Sequence, residues 1–167
     1  MRKRLFLLLL AFISLCQMYA VERTKLNFNG GWLLKVGDFQ GAELANYKDA
    51  GWKQITLPRA FNEKEAFKVS IEQLSDTIMW YRKHFHIQEV GDRKYFIEFE
   101  GVRFGADIWL NGKKVGYTEN GVMASGFDLT PYIIKGENVI AVRVDNSWSY
   151  RERATGQRYQ WNDKNFN

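Results

Sequence analysis

Apolar and polar side chains alternate along two segments in the middle of the chain, residues 78–87 (IMWYRKHFHI) and residues 94–100 (KYFIEFE). Because successive side chains of a strand point to opposite sides of a sheet, each segment has two different faces as a strand. In the first segment one face carries Tyr81, Lys83, Phe85 and Ile87, and the other carries Trp80, Arg82, His84 and His86. In the second segment Tyr95, Ile97 and Phe99 oppose Phe96, Glu98 and Glu100. Such alternation is typical of an antiparallel sheet with one buried face and one solvent-exposed face.

Residues 106–117 (ADIWLNGKKVGY) predict a β-hairpin. Asn111 and Gly112 stand between two apolar runs and suit the two positive φ angles of a type I′ turn. Further strand patterns occur at residues 25–36, 52–58, 127–133 and 137–146, and one or two helical turns are plausible within residues 61–76. Several short strands separated by turn signals predict an all-β fold, a jelly-roll β-sandwich.

The first twenty residues have the composition of a secretory signal peptide. Basic residues at positions 2–4 precede an apolar run, and the small residue Ala20 precedes a polar stretch. Because the apolar run is short for a bilayer, we expect no membrane span, and we expect export to the periplasm or the cell exterior with cleavage near Ala20. Cys16 invites a lipoprotein anchor, but Leu15 stands where a lipobox has a small residue, so the anchor is the less favoured alternative.

Composition and charge remove several classes of function. Of the 167 residues, 46% are hydrophobic and 16% aromatic, which excludes a disordered chain. The formal net charge of +5 includes the three basic residues at positions 2–4, so the rest of the chain carries about +2. We therefore expect no nucleic-acid partner. Cys16 is the only cysteine, which excludes a disulfide or a thiolate metal site in residues 21–167.

Six segments in a fixed order carry a resemblance to a known family. They are NGGWLLKVGD (29–38), ITLPRAFNEKEAF (55–67), MWYRKHFHI (79–87), YFIEFEGVRFGADIWLNGKKVGYTENG (95–121), FDLTPYIIKGENVIAVRVDNSW (127–148) and RYQWNDKNFN (158–167). Together they resemble the amino-terminal sugar-binding domain of glycoside hydrolase family 2, which includes β-galactosidases and β-glucuronidases. The resemblance implies a galactose-binding-domain-like jelly roll over residues 21–167.

In that family the sandwich is followed by an immunoglobulin-like domain and by a TIM barrel that carries two catalytic glutamates. Because a barrel needs roughly 250 residues, the resemblance implies that both domains are absent from this chain. Residues 158–167 resemble a segment that continues, in the family, into a further strand of the sandwich. We therefore expect a truncated domain, and the resemblance leaves open whether its final strand is present.

Two residue pairs on the predicted strands suggest chemistry but are better explained as solvated surface. Glu98 and Glu100 would lie about 7 Å apart along a strand, a separation typical of inverting glycosidases. The resemblance opposes this interpretation, since it puts the catalytic pair in the barrel. His84 and His86 share a face at a spacing that suits a metal ion, but no third ligand is indicated nearby. We expect no catalytic residue, no metal site and no cofactor.

Two tryptophans are candidate carbohydrate-binding residues. Sugar rings place their apolar faces on aromatic side chains while their hydroxyls take polar partners. Trp148 and Trp161 lie in a polar segment and fit this role. The other four lie within or beside strand patterns and are interpreted as core or sheet surface: Trp32, Trp52, Trp80 and Trp109.

Glu119 and Asn120 are the other candidates, and they rest on the resemblance. In bacterial β-galactosidases a loop at this position reaches the active site and offers an aspartate to the substrate and to a sodium ion. Asn120 stands at the matching position and lacks the charge that helps to hold a cation, so no sodium site is expected. Contact with a sugar and a plain surface turn are both open for Glu119 and Asn120.

These observations favour a non-catalytic sugar-binding domain of an exported family 2 glycoside hydrolase. Its expected partners are a carbohydrate, either a β-glycoside or a plant-type oligosaccharide, and the catalytic domains of the parent enzyme. Two alternatives remain open. One is a free-standing carbohydrate-binding module, and the other is an interaction fragment that complements a separately encoded catalytic chain by pairing of edge strands.

Overall fold

A computed structural model of the chain describes residues 23–60, 77–119 and 123–147. The secondary structure of these residues consists of eight β-strands. They are β1 (Trp32–Val36), β2 (Lys53–Ile55), β3 (Ile78–Ile87), β4 (Phe96–Phe99), β5 (Gly105–Leu110), β6 (Lys113–Thr118), β7 (Ser125–Asp128) and β8 (Gly136–Asp145). In this part of the chain there is no helix with the length and apolar character needed to cross a membrane.

The strands form two antiparallel sheets that pack as a β-sandwich. The larger sheet has the order β2-β1-β3-β8-β5-β6, and the smaller sheet pairs β4 with β7. The two longest strands, β3 and β8, lie side by side over ten residues, from Ile78 opposite Asp145 to Ile87 opposite Gly136. The predicted all-β sandwich is therefore confirmed.

The predicted hairpin is formed by β5 and β6. Asn111 and Gly112 make the two-residue connection with φ angles of 54° and 79°, as a type I′ turn requires. The Asn111 side-chain amide donates to the carbonyl oxygen of Tyr132 at 3.0 Å, and its Oδ1 accepts from the amide of Val139 at 2.9 Å. The Asn111 side chain thus hydrogen-bonds the turn to the first half of β8 and to the loop before it.

The inner face of the larger sheet packs on the smaller sheet and forms the main apolar core. Ile108, Leu110 and Ile140 have no exposed surface, and Ile97 of β4 packs with them. Burial of such side chains is the main favourable contribution to folding. The alternation of β3 and β4 predicted this arrangement, with Ile97 buried and Phe96 exposed.

The outer face of the larger sheet differs from the expectation of a solvent-exposed surface. Trp80 and Arg82 of β3 are only 3% and 0% exposed, whereas His84 and His86 further along the strand are exposed. Residues 38–52, here called the covering segment, pack over the first half of this face. The two faces of β3 were correctly predicted. The solvent exposure expected for the face with Arg82 is wrong over its first half, because the covering segment buries Arg82 and Trp80.

Some sequence patterns differ in extent from the strands of the structure, and one lies outside the described residues. The strand pattern at residues 25–36 becomes a strand only from Trp32, and residues 23–29 have no regular secondary structure. The suggested helical turns at residues 61–76 lie outside the described residues.

Candidate functional site

A groove of about 470 Å³ lies on the outer face of the larger sheet, beside the start of the covering segment. Strands β3, β5 and β8 each contribute one lining side chain. The lining consists of Asp38, Phe39, Gln40, Gly41, Glu43, Trp80, Trp109 and Arg143. Its size falls within the range of about 300–1,000 Å³ that is typical of small-molecule sites.

Two tryptophans form the aromatic part of the groove. The rings of Trp80 and Trp109 are stacked, with centroids 5.3 Å apart and planes inclined by 27°. They reach each other across β8, where the small residue Ala141 lies opposite Trp109 in the ladder. Trp80 is buried, and Trp109 is half-buried. Trp109 therefore supplies much of the aromatic surface that a ligand in the groove would meet.

An ion pair borders the aromatic pair. Arg143 Nε donates to Asp38 Oδ1 at 2.9 Å, and Nη2 donates to Oδ2 at 2.7 Å, so the contact is bidentate. The indole Nε1 of Trp80 also donates to Asp38 Oδ1, at 3.2 Å. Hydrogen bonding from Arg143 lowers the pKa of Asp38, and the same bond raises the pKa of Arg143. Both groups are therefore charged at neutral pH.

The wall of the groove is fixed by the buried side chain of Arg82. Its guanidinium donates from Nη1 to the carbonyl oxygens of Ala42 and of Leu44, the latter at 3.0 Å, and from Nε to Asp49 Oδ2 at 2.8 Å. These bonds hold residues 42–49 of the covering segment against β3. Because a buried charge is costly unless it is paired, the position of Arg82 depends on these partners.

Asp49 links this buried network to the surface. Its Oδ2 lies 2.8 Å from Nε2 of His84 as well as from Arg82. Burial alone would raise the pKa of Asp49, but the hydrogen bonds from Arg82 and His84 outweigh it and lower the pKa. The carboxylate is therefore charged at neutral pH and contacts two side chains of β3, those of Arg82 and His84.

Of the four predicted carbohydrate-binding residues, Glu119 alone lies within the described residues. It follows the end of β6 and accepts a hydrogen bond from the hydroxyl of Tyr117. Asn120, Trp148 and Trp161 lie outside the described residues. The proposed sugar contacts of all four remain predictions.

The glutamate and histidine pairs lie on the surface, as expected. Glu98 forms long ion pairs with Arg23 at 3.7 Å and with Lys25 at 3.9 Å. His84 and His86 both face Glu137, with Nδ1 to carboxylate distances of 3.7 and 4.0 Å. Across residues 23–60, 77–119 and 123–147, no three histidine, cysteine, aspartate or glutamate side chains are grouped so that they could hold a metal ion.

Sequence reasoning missed Asp38, Glu43 and Arg143 as members of a site. Asp38 and Arg143 are 105 residues apart, and no local pattern links them. The sequence left core and sheet surface open for Trp80 and Trp109, and the structure has Trp80 buried and Trp109 half-buried. They lie on two different strands, β3 and β5, and only the order of the strands shows that they meet across β8.

Comparison with known proteins gives one family. Residues 53–167 match the model of the glycosyl hydrolase 2 galactose-binding domain-like family. The chain is 40% identical over 134 residues to a β-glucuronidase of Formosa agariphila, covering 75% of this chain and 14% of that protein. It is 32% identical over 133 residues to a β-galactosidase of Bacteroides ovatus, covering 75% of this chain and 16% of that protein.

Solved structures agree with the sequence relatives. A β-glucuronidase from glycoside hydrolase family 2 matches with a TM-score of 0.66 at 36% identity, over 76% of this chain and 15% of that one. The β-glucuronidase of Bacteroides uniformis matches with a TM-score of 0.68 at 26% identity, over 75% and 15%. The chain thus spans about 15% of the length of these relatives. Since the family model matches well over half of its residues, the chain belongs to glycoside hydrolase family 2, and its described part is the galactose-binding-like β-sandwich of that family.

Proposed function

We propose that the chain is a non-catalytic, carbohydrate-binding domain of an exported family 2 glycoside hydrolase. The observation that carries the proposal is that the likeness to β-glucuronidases and β-galactosidases falls on their galactose-binding-like sandwich, about 15% of their length. The parent activity is the hydrolysis of O-glycosidic bonds in β-glycosides. The basic and apolar pattern of residues 1–20 supports export.

The state of the carboxylates supports a non-catalytic role. A glycosidase needs one carboxyl group with a raised pKa as its general acid. The pKa is instead lowered at three aspartates, because hydrogen bonds favour their charged form. They are Asp38, Asp49 and Asp128. Glu98 lies on the surface and makes only long contacts, with Arg23 at 3.7 Å and with Lys25 at 3.9 Å. The three aspartates are therefore held in the charged form and are not prepared to protonate a leaving group.

A second candidate function is pairing with a separately encoded catalytic chain. The exposed ring of Phe96, 66% accessible, lies on β4, one of the two strands of the smaller sheet. An added strand binds through main-chain hydrogen bonds at such a sheet edge. This candidate predicts that the chain forms a stable complex with a family 2 catalytic barrel.

The test uses the purified full chain. We expect no hydrolysis of p-nitrophenyl β-galactoside or β-glucuronide, and we expect the unfolding temperature to rise with at least one oligosaccharide of a panel of galactosides, glucuronides and plant-polysaccharide fragments. At a ligand concentration of 100 Kd, a ligand selective for the folded state adds about 2.7 kcal/mol, which corresponds to roughly 5–10 °C for a domain of this size.

Each part of the proposal has an outcome that overturns it. The non-catalytic role is contradicted if either p-nitrophenyl substrate is hydrolysed by an activity that co-purifies with the chain. An unfolding temperature that no sugar changes contradicts carbohydrate binding. For export, the chain is expressed with its own first twenty residues, and retention in the cytoplasm at full length contradicts the proposal.

A further inference from the structure

We propose that the groove on the outer face of the larger sheet is a binding site for an uncharged sugar ring of a β-glycoside. This inference rests on the proposed carbohydrate-binding function and deepens it by assigning a place and a ligand class. In this site the sugar packs against the exposed part of Trp109, and its hydroxyls donate to the carboxylates of Asp38 and Glu43.

The groove combines the two kinds of group that a sugar requires. The stacked rings of Trp80 and Trp109 supply an apolar surface for the C–H groups of a pyranose. Asp38 and Glu43 line the same space and supply hydrogen-bond acceptors, while Gln40 supplies an amide that can donate and accept. A few polar groups beside an aromatic surface are characteristic of small-molecule sites.

The polar groups of the groove are held in place before a ligand arrives. Asp38 receives two hydrogen bonds from Arg143 and one from Trp80, which fix the orientation of its carboxylate. The backbone on either side of Glu43 is held by Arg82, which binds the carbonyl oxygens of Ala42 and Leu44. Because these groups do not have to be ordered by the ligand, the entropic cost of binding is reduced.

The charges of the groove select against an acidic sugar. Two carboxylates, Asp38 and Glu43, and one cation, Arg143, line it. Two lysines lie near its rings: Lys114 is 5.9 Å from the Trp109 ring and is paired with Asp107 at 2.7 Å, and Lys35 is 4.3 Å from the Phe39 ring. The guanidinium of Arg143 already makes a bidentate contact with Asp38, and its Nη1 lies 3.5 Å from Asp145. A uronate that contacts Asp38 and Glu43 would therefore meet two like charges, while Arg143 and Lys114 are already engaged with Asp38 and Asp107. A neutral ring avoids this repulsion.

The test compares two ligands that differ at one carbon atom. Methyl β-D-glucopyranoside and methyl β-D-glucuronide are titrated into the ¹⁵N-labelled full chain at pH 7, and the indole N–H signals are followed by NMR. The signals of Trp80 and Trp109 are assigned from the variants Trp80→Phe and Trp109→Phe. Methyl β-D-galactopyranoside is the second neutral probe.

We expect a neutral glycoside to shift both indole signals, with an affinity at least tenfold higher than that of the glucuronide. Trp109→Phe weakens neutral binding about three- to tenfold while the chain stays folded, and Glu43→Gln reduces the discrimination against the glucuronide severalfold. The matched controls are Phe96→Ala, which removes an exposed ring on the smaller sheet, and Glu137→Gln, which removes an exposed carboxylate at the other end of β8. Both controls bind as the unaltered chain does.

Three outcomes overturn the inference. The first two leave the proposed function standing, and the third overturns both. If an oligosaccharide raises the unfolding temperature but Trp109→Phe leaves its affinity unchanged, the chain binds sugar elsewhere. If the glucuronide binds as tightly as the glucoside, the groove does not select neutral rings. If no sugar of either charge changes the unfolding temperature or the indole signals, the carbohydrate-binding function fails together with the groove.

Discussion

Both faces of the larger sheet are buried near β3, but the inner face is covered by apolar side chains and the outer face contains a buried charge. On the inner face Ile108 and Ile140 are completely buried among other apolar side chains. On the outer face Trp80 and Arg82 are buried under the covering segment, and Arg82 bonds to backbone carbonyls and to Asp49. The inner face is thus held by non-directional burial, whereas the outer face depends on a few directional bonds.

This difference determines how each face should respond to substitution. An apolar core accepts side chains of similar volume, because hydrophobic contact has little directionality. A buried hydrogen-bonded charge has no equivalent replacement, since loss of one partner leaves the others unpaired. Truncation and conservative replacement at one position on each face therefore separate the two kinds of contact.

The largest effect is expected at Arg82. In Arg82→Ala the Asp49 carboxylate and the carbonyl oxygens of Ala42 and Leu44 lose their buried donor, which costs about 3–5 kcal/mol of unfolding free energy. Arg82→Lys should recover little of this, because an ammonium group cannot reproduce the planar set of donors. Urea denaturation measures both variants. If Arg82→Lys recovered most of the stability, the directional hydrogen bonds of the guanidinium would not be what holds the outer face.

The inner face provides the counterpart at Ile140. Ile140→Ala leaves a cavity in the core and should cost about 2–5 kcal/mol, whereas Ile140→Leu keeps the volume and should cost less than about 1.5 kcal/mol. The same denaturation experiment measures both. If Ile140→Leu were as unstable as Ile140→Ala, the inner face would tolerate side chains of similar volume no better than the outer face does.

A smaller effect is expected where the two sheets approach each other closely. A Cβ atom added at Gly116 of β6 would lie 2.5 Å from ring atoms of Phe127 in β7. Gly116→Ala should therefore force the ring aside at a cost of about 1–3 kcal/mol. The control is Gly116→Ala combined with Phe127→Leu, which removes the clashing ring atoms. If Phe127→Leu is equally damaging with either residue at position 116, the clash is not the cause.

The smallest effect concerns the ion pair of the groove and its dependence on pH. The pKa of Asp38 is lowered from its ordinary value of 3.8 by the hydrogen bond from Arg143. Its stabilising contribution is therefore fully present above about pH 4 and is lost as the pH falls through the lower value of the folded state. Because the pair is partly exposed, we expect it to contribute less than about 1 kcal/mol.

The measurement compares unfolding free energies of the unaltered chain and of Asp38→Asn at pH 7 and pH 3. The difference between the two proteins should shrink at pH 3, since the Asp38 carboxyl group, with its ordinary pKa of 3.8, is then mostly protonated in the unfolded chain and folding gains less from the ion pair. A difference that stays constant between the two pH values would mean that the carboxylate charge contributes nothing to the outer face.

The sequence was informative wherever the signal was local. The alternation at residues 78–87 and 94–100 assigned the two faces of β3 and β4, and Asn111-Gly112 located the hairpin. The ordered motifs also indicated the family and the all-β sandwich. A strand has a period of two residues and a type I′ turn requires two positive φ angles, and both properties can be read from neighbouring residues.

Only the tertiary structure decided what the outer face contains. Arg82 meets Ala42 and Asp49 across 40 and 33 residues of chain, and Asp38 meets Arg143 across 105. The alternation assigned Arg82 and Trp80 to a face that was expected to be exposed. The sequence of β3 contains no signal for the covering segment that buries them. Periodicity tells which side chains share a face, but what covers that face depends on the path of distant chain and on the geometry of its hydrogen bonds.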